Sequence, residues 1–204
     1  MGGLVGKYAG GPEHLPLPLT WQGRDGLLDP EPDPRLAAVR MLPRVARPEA
    51  VQQLAGFLYT ENTPKILVAA LQAMAVMRPP EYGEAVERHV AHADPNVAVE
   101  ALAALDAMGY PHAMFPAGPG ARSVAGFVSH PSTPVRRRAI ELLIASARPA
   151  ALEYLEAALF DRVPMNRALA ARGLGEMGLT AAVGALGPLL KDGRPDVRRE
   201  AAVA

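Results

Sequence analysis

Three arginines, Arg136, Arg167 and Arg198, recur at intervals of 31 residues. In a regular array so constant a spacing stacks side chains in a row, and a row of guanidinium groups suits phosphate or an acidic peptide. Arg136 also opens the run Arg136-Arg137-Arg138. Successive helix positions splay about 100° apart, so the run makes solvated surface and not one patch. His89 and His92 have the i, i+3 spacing that lets a helix offer two imidazoles to one metal. No third ligand shares that spacing, so they are read as ordinary surface or boundary histidines. The chain has no cysteine, which excludes disulfides, thiol catalysis and cysteine-ligated zinc. No catalytic residue, metal or cofactor is expected.

These residues sit in a repeat. Ile66, Val97, Val135, Asn166 and Val197 each follow a proline by one to three residues. At +4 and +5 come small or apolar pairs, from Ala70-Leu71 to Ala201-Ala202, and at +8 come Met74, Leu105, Leu143 and Leu174. That is one apolar stripe at helical spacing. A second similarity, at an offset of 101, aligns Ala46–Val51 with Ala147–Leu152 and Tyr59 with Phe160. Proline at a helix start loses no hydrogen bond, and Gly109 and Gly178 suit helix ends. The pattern predicts helices near 34–46, 49–59, 64–77, 81–93, 95–108, 121–129, 134–147, 149–160, 164–177, 179–191 and 195–203, with no strand. The fold class is therefore all-α: an α-solenoid of about six helix pairs, the last incomplete. Gly173 and Gly175 fall inside a predicted helix, which points to close helix packing there.

Composition narrows the function. Half the residues are apolar, only 5% are aromatic, and 21 basic residues balance 21 acidic ones. Zero net charge argues against a general nucleic-acid binder or a membrane-surface protein. The excess of arginine over lysine, with much Ala, Gly and Pro, points to a GC-rich bacterial source. No apolar run is long enough for a transmembrane helix and the start lacks a secretory signal, so the cytoplasm is the expected location. The Gly2–Lys7 stretch lacks the spacing and preceding strand of a phosphate loop. Residues 1–28 are expected to be an irregular cap or tail, followed by the array over 29–204.

Two segments, Leu190–Ala202 and Arg167–Gly178, resemble the HEAT-repeat superfamily, in the short form also seen in phycobilin lyases. The resemblance implies an Asp in each inter-helix turn paired with an Arg six residues later. Asp29/Arg35, Asp161/Arg167 and Asp192/Arg198 keep that spacing. His130/Arg136 keeps only the Arg, while Leu67 and Ala98 stand at the Arg position of the second and third repeats. The pairs are expected to lock neighbouring repeats, and Arg136, without an Asp, to be the free cation. The family includes iron-dependent deoxyhypusine hydroxylases with His-Glu dipeptides, but none of the five histidines here precedes Glu.

One repeat is longer by seven residues, through an insertion near 109–120. In solenoids such additions fall on loops, often at the binding face. Tyr110, Met114 and Phe115 have the character of interface anchors, and the segment is expected to protrude; the alternative is that it folds back over the core. The expected function is a non-catalytic protein–protein interaction scaffold whose partner is another protein. A bilin-handling protein is the alternative, with a HEAT-like nucleic-acid binder behind it. Val197 and Ala201, in a helix with no following partner, are expected on an open edge, covered by a continuation of the chain or by self-association.

Overall fold

The computed structural model describes residues 20–21, 24–45, 48–118, 121–178 and 182–204. The Gly2–Lys7 stretch and the tip of the insertion at 119–120 lie outside them. The chain divides into two compact units, Met1–Pro111 and His112–Ala204. The boundary falls within the insertion.

In the first unit a two-residue antiparallel pair, β1 (Thr20–Trp21) with β2 (Arg24–Asp25), precedes a 3-10 turn at Gly26–Leu28. No strand was expected, because two residues are too few to leave a periodic signal. Then come α1 (Pro32–Val45), α2 (Pro48–Phe57), α3 (Pro64–Met77), α4 (Gly83–Glu87) and α5 (Pro95–Ala107). The first helices of successive repeats lie side by side, α3 between α1 and α5, with α2 against α1 and α3. Leu42, Leu54, Leu58, Ile66, Leu67, Leu71 and Met74 are fully buried there.

The second unit holds a 3-10 helix at Ala125–Ser129, then α6 (Thr133–Ser146), α7 (Leu152–Ala158), α8 (Pro164–Glu176), α9 (Val183–Leu186) and α10 (Pro195–Val203). Helix α8 packs on α6, α7 and α10. Ile140, Leu143, Leu155 and Leu159 form the centre of its core.

The first helices follow the proline punctuation closely, since proline occupies the opening turn of α3, α5, α6, α8 and α10, where its missing N–H costs nothing. Gly109 and Gly178 adopt positive φ after α5 and α8. Arg78 and Ala147 do the same after α3 and α6, without being glycine. The second helices are shorter than predicted. The stretch expected at 179–191 is a single α-turn, Val183–Leu186, running into a 3-10 helix, Gly187–Lys191. Gly184, Gly187 and Pro188 each weaken a longer α-helix, and the tighter 3-10 turn accommodates them.

The edge expectation is corrected. Val197 is fully buried and Ala201 nearly so, against α8 and the Gly187–Lys191 turn. Their i, i+4 stripe faces back onto the preceding helices, and Val203, 81% exposed, lies on the open side instead.

Candidate functional site

Each of the six first helices is entered through the same turn. The residue three positions before the helix accepts the backbone N–H two residues on. Asp29 Oδ1 accepts from Glu31 N at 2.9 Å, Glu61 Oε1 from Thr63 N at 2.7 Å, and His92 Nδ1 from Asp94 N at 2.9 Å. His130 Nδ1 accepts from Ser132 N at 3.1 Å, Asp161 Oδ1 from Val163 N at 2.7 Å, and Asp192 Oδ1 from Arg194 N at 2.9 Å. A side-chain acceptor that folds back on its own backbone in this way sets the turn before the helix begins.

The arginines add the second half of the arrangement. Six residues after the turn residue, the Arg Nη1 donates to that residue's carbonyl. Arg35 meets Asp29 O at 2.8 Å, Arg136 meets His130 O at 3.0 Å, Arg167 meets Asp161 O at 2.8 Å, and Arg198 meets Asp192 O at 2.7 Å. The carboxylate partner belongs to the next turn along the chain. Arg35 Nε donates to Glu61 at 2.7 Å. Arg136 grips Asp161 with two bonds, 2.7 and 2.9 Å, and Arg167 grips Asp192 with two, 2.8 and 3.0 Å. The expected carboxylate pairings within Asp29/Arg35, Asp161/Arg167 and Asp192/Arg198 are therefore corrected. In each, the arginine takes its own turn's carbonyl while one oxygen of the carboxylate closes the turn, and the Asp161 and Asp192 carboxylates face the preceding arginines, Arg136 and Arg167.

Arg136 is likewise not the free cation. It has the most complete set of partners of the four, also donating to Pro131 O at 3.0 Å and Thr133 Oγ1 at 3.5 Å. The side chains of Arg136 and Asp161 are only 6% and 3% exposed. Burial by itself would raise the Asp161 carboxyl, but hydrogen bonds from Arg136, Asn166 and Val163 outweigh it and hold the pKa down at about 2. Glu61 follows the same logic: burial raises it, and bonds from Arg35, Thr63 and Asn62 bring it below its ordinary value.

Glu61, His92 and His130 were not recognised as members of the ladder from the sequence. The signal was their position, three residues before Pro64, Pro95 and Thr133, where α3, α5 and α6 begin. Chemistry explains the substitution. A carboxylate stands where the preceding repeat supplies an arginine: Glu61 after Arg35, Asp161 after Arg136, Asp192 after Arg167. Histidine stands where it does not, His92 after Leu67 and His130 after Ala98. A neutral imidazole nitrogen can close the turn without a cation to balance it.

The remaining candidates divide. Arg137 pairs with Glu141 at 3.0 Å and Arg138 with the same carboxylate at 3.8 Å, both on the surface. His89 Nε2 lies 3.0 Å from Leu58 O. Among the described residues no group of three or more His, Cys, Asp and Glu comes together to hold a metal. Burial pulls the His89 pKa below 6.5, opposed by the Leu58 carbonyl and aided by the charges of His92 and Arg88. The neutral ring is thus favoured in the folded state. Its contribution to stability is present above 6.5 and is lost as pH falls from 6.5 toward the lower folded value. The melting temperature is expected to fall on acidification through this window, and less so in His89→Gln.

The insertion folds back. Met114 is buried, Val124 N donates to Ala113 O at 2.9 Å, and Ala125 N donates to Met114 O at 3.0 Å. Phe115 is half-buried, stacked on Tyr154 at 6.0 Å with the Arg148 guanidinium also 6.0 Å from its ring. In the first unit Tyr110 is 43% exposed, but its hydroxyl donates to Pro80 O at 3.3 Å and its ring fills the space beside Gly83. The protruding loop is therefore corrected for Met114, which is buried with its carbonyl bonded to Ala125 N, and for Phe115, whose ring is held beside Tyr154 and Arg148.

Two equivalent clefts flank the ladder, one in each unit. One of about 440 Å³ is lined by Leu28, Asp29, Arg35 and Glu61, and one of about 450 Å³ by His130, Arg136, Phe160 and Asp161. Phe160 is 71% exposed at the rim of the second.

Comparison with known proteins agrees with the repeat architecture. Residues 123–204 match a family model described as HEAT repeats. No curated protein matches the chain. Among solved structures, one engineered protein is 17% identical over 87% of this chain and 93% of its own, with a TM-score of 0.53. Another engineered protein is 16% identical over 88% and 92%, with a TM-score of 0.50. Human deoxyhypusine hydroxylase in complex with glycerol, at 17% identity over 87% and 91%, has a TM-score of 0.41, too low to carry an argument. At these identities the likeness is one of fold: an all-α solenoid of HEAT-like helix pairs. No described helix is long and apolar enough to cross a membrane.

Proposed function

We propose that the chain is a cytoplasmic, non-catalytic scaffold that binds another protein. The observation that carries this reading is the fate of the recurrent polar groups. Arg35, Arg136 and Arg167 and their carboxylates are taken up in closing turns and tying repeat to repeat. Large apolar side chains stay exposed, Met165 on α8 and Phe160 in the turn before it. Tyr110, half out of its packing, is a further anchor on this reading.

The test is affinity capture from the native source with identification by mass spectrometry, followed by titration of the purified partner. A saturable complex with a fixed stoichiometry is the expected result. A shift in the visible absorption of a bilin on mixing would replace this reading with the bilin-handling one. A strongly salt-dependent mobility shift with an oligonucleotide would replace it with nucleic-acid binding.

A further inference from the structure

The first helices of the N-terminal unit border a groove of about 530 Å³, lined by Arg40 of α1, by Lys65, Val68, Ala69 and Gln72 of α3, and by Asp94 ahead of α5. Its chemistry differs from that of the ladder clefts. Arg40 and Lys65 are exposed, and neither hydrogen-bonds or ion-pairs with any described residue. Arg35, five residues before Arg40, is fixed on Glu61 and on its own turn. Val68 and Ala69 add a half-buried, apolar part of the lining. The Asp94 carboxylate accepts from Asn96 N at 2.8 Å and Asn96 Nδ2 at 2.9 Å, so it is turned toward the start of α5.

We infer that this groove binds an acidic segment of a partner protein, with carboxylates on Arg40 and Lys65 and a small apolar side chain on Val68 and Ala69. The inference rests on the scaffold reading and names the surface and the partner's chemistry. Two cations without a described partner, beside an apolar stretch of lining, are complementary to acidic residues separated by a small apolar one. The Gln72 amide can both donate to and accept from the segment's backbone. A nucleic acid fits less well. No aromatic side chain lines the groove for base stacking.

The experiment uses the full chain and fluorescence anisotropy with a labelled peptide of alternating glutamate and alanine. A lysine-for-glutamate version of the peptide and a short oligo-dT serve as comparisons. The expected result is saturable binding of the acidic peptide that weakens with salt. Arg40→Glu with Lys65→Glu should weaken it by about tenfold, because the loss of two exposed ion pairs is joined by repulsion from the new carboxylates. Both positions are exposed, so the double variant is expected to melt as the parent does, and melting is measured alongside. No binding of the acidic peptide, equal binding by the double variant, or tighter binding of oligo-dT would each overturn the inference. If a partner captured in the preceding test binds the double variant unchanged, this groove is wrong and the scaffold stands. If the parent chain captures no partner, the scaffold reading itself falls.

Discussion

Arg136→Met is expected to lower folding stability by about 3–5 kcal/mol, the usual cost of removing one partner from a buried ion pair. The magnitude follows from burial. Exposed pairs such as Arg137–Glu141 contribute about 0–1 kcal/mol at most, and Arg136 and Asp161 are nearly inaccessible. The substitution also leaves the carbonyl of His130 without its guanidinium donor, while the carbonyl of Pro131 keeps the bond from Arg162. A second variant separates charge from packing. Arg136→Met combined with Asp161→Asn should recover part of the loss, because the amide oxygen can still close the turn on Val163 N while no charge remains buried. Acid titration gives an independent check. The Asp161 pKa is about 2 in the folded state against 3.8 ordinarily. The stability it contributes is therefore present above 3.8 and lost as pH falls through 2. That acid-dependent loss should be marked in the parent and flattened in Arg136→Met. Urea denaturation at several pH values reads both effects. A loss within the range of a surface pair would show that the ladder does not tie the repeats together.

The row of arginines was legible in the sequence, but its direction of pairing was not. Asp161 stands six residues before Arg167 and twenty-five after Arg136, so its spacing is compatible with a bond to either. Only the geometry decides: one Asp161 oxygen bonds Val163 N and both meet the Arg136 guanidinium. The histidines hid for a different reason. His130 looked like a gap in an Asp ladder, whereas the turn requires an acceptor and the charge matters only where an arginine arrives. The first helices were read well because proline at their start and the apolar i, i+4, i+8 stripe agree. The second helices were read too long, since periodicity does not register the local preference of Gly187-Pro188 for a 3-10 turn. The groove between Arg40 and Lys65 had no sequence signature. Its two cations are twenty-five residues apart on different helices, and what sets them apart is the absence of described partners.

Gly173→Val is expected to destabilise the second unit by about 2–3 kcal/mol, the upper part of the range for overpacking a filled site. The glycine lies in α8, where it costs about 1 kcal/mol in helix propensity against alanine. Propensity alone would thus make Gly173→Ala stabilising. The packing opposes this. A Cβ built at Gly173 would overlap Ile144 Cδ1 and Cγ1 on α6, with Cγ2 at 3.3 Å. The two helices approach so closely that the missing side chain is part of the fit. Gly173→Ala should therefore gain nothing or lose up to about 2 kcal/mol, according to how far Ile144 can turn aside. Shortening Ile144 tests the contact directly. In the double variant Gly173→Val with Ile144→Ala, the loss should be smaller than the sum of the two single losses by about 1 kcal/mol or more. Gly184 provides the opposite case within the same unit. It lies in α9 with nothing within 4 Å of a built Cβ. Gly184→Ala should raise stability by up to about 1 kcal/mol, with no packing to oppose it. Chemical denaturation midpoints give the signs. Additive losses at 173 and 144, or the same sign for alanine at 173 and 184, would mean that close approach of α6 and α8 is not what keeps glycine at position 173.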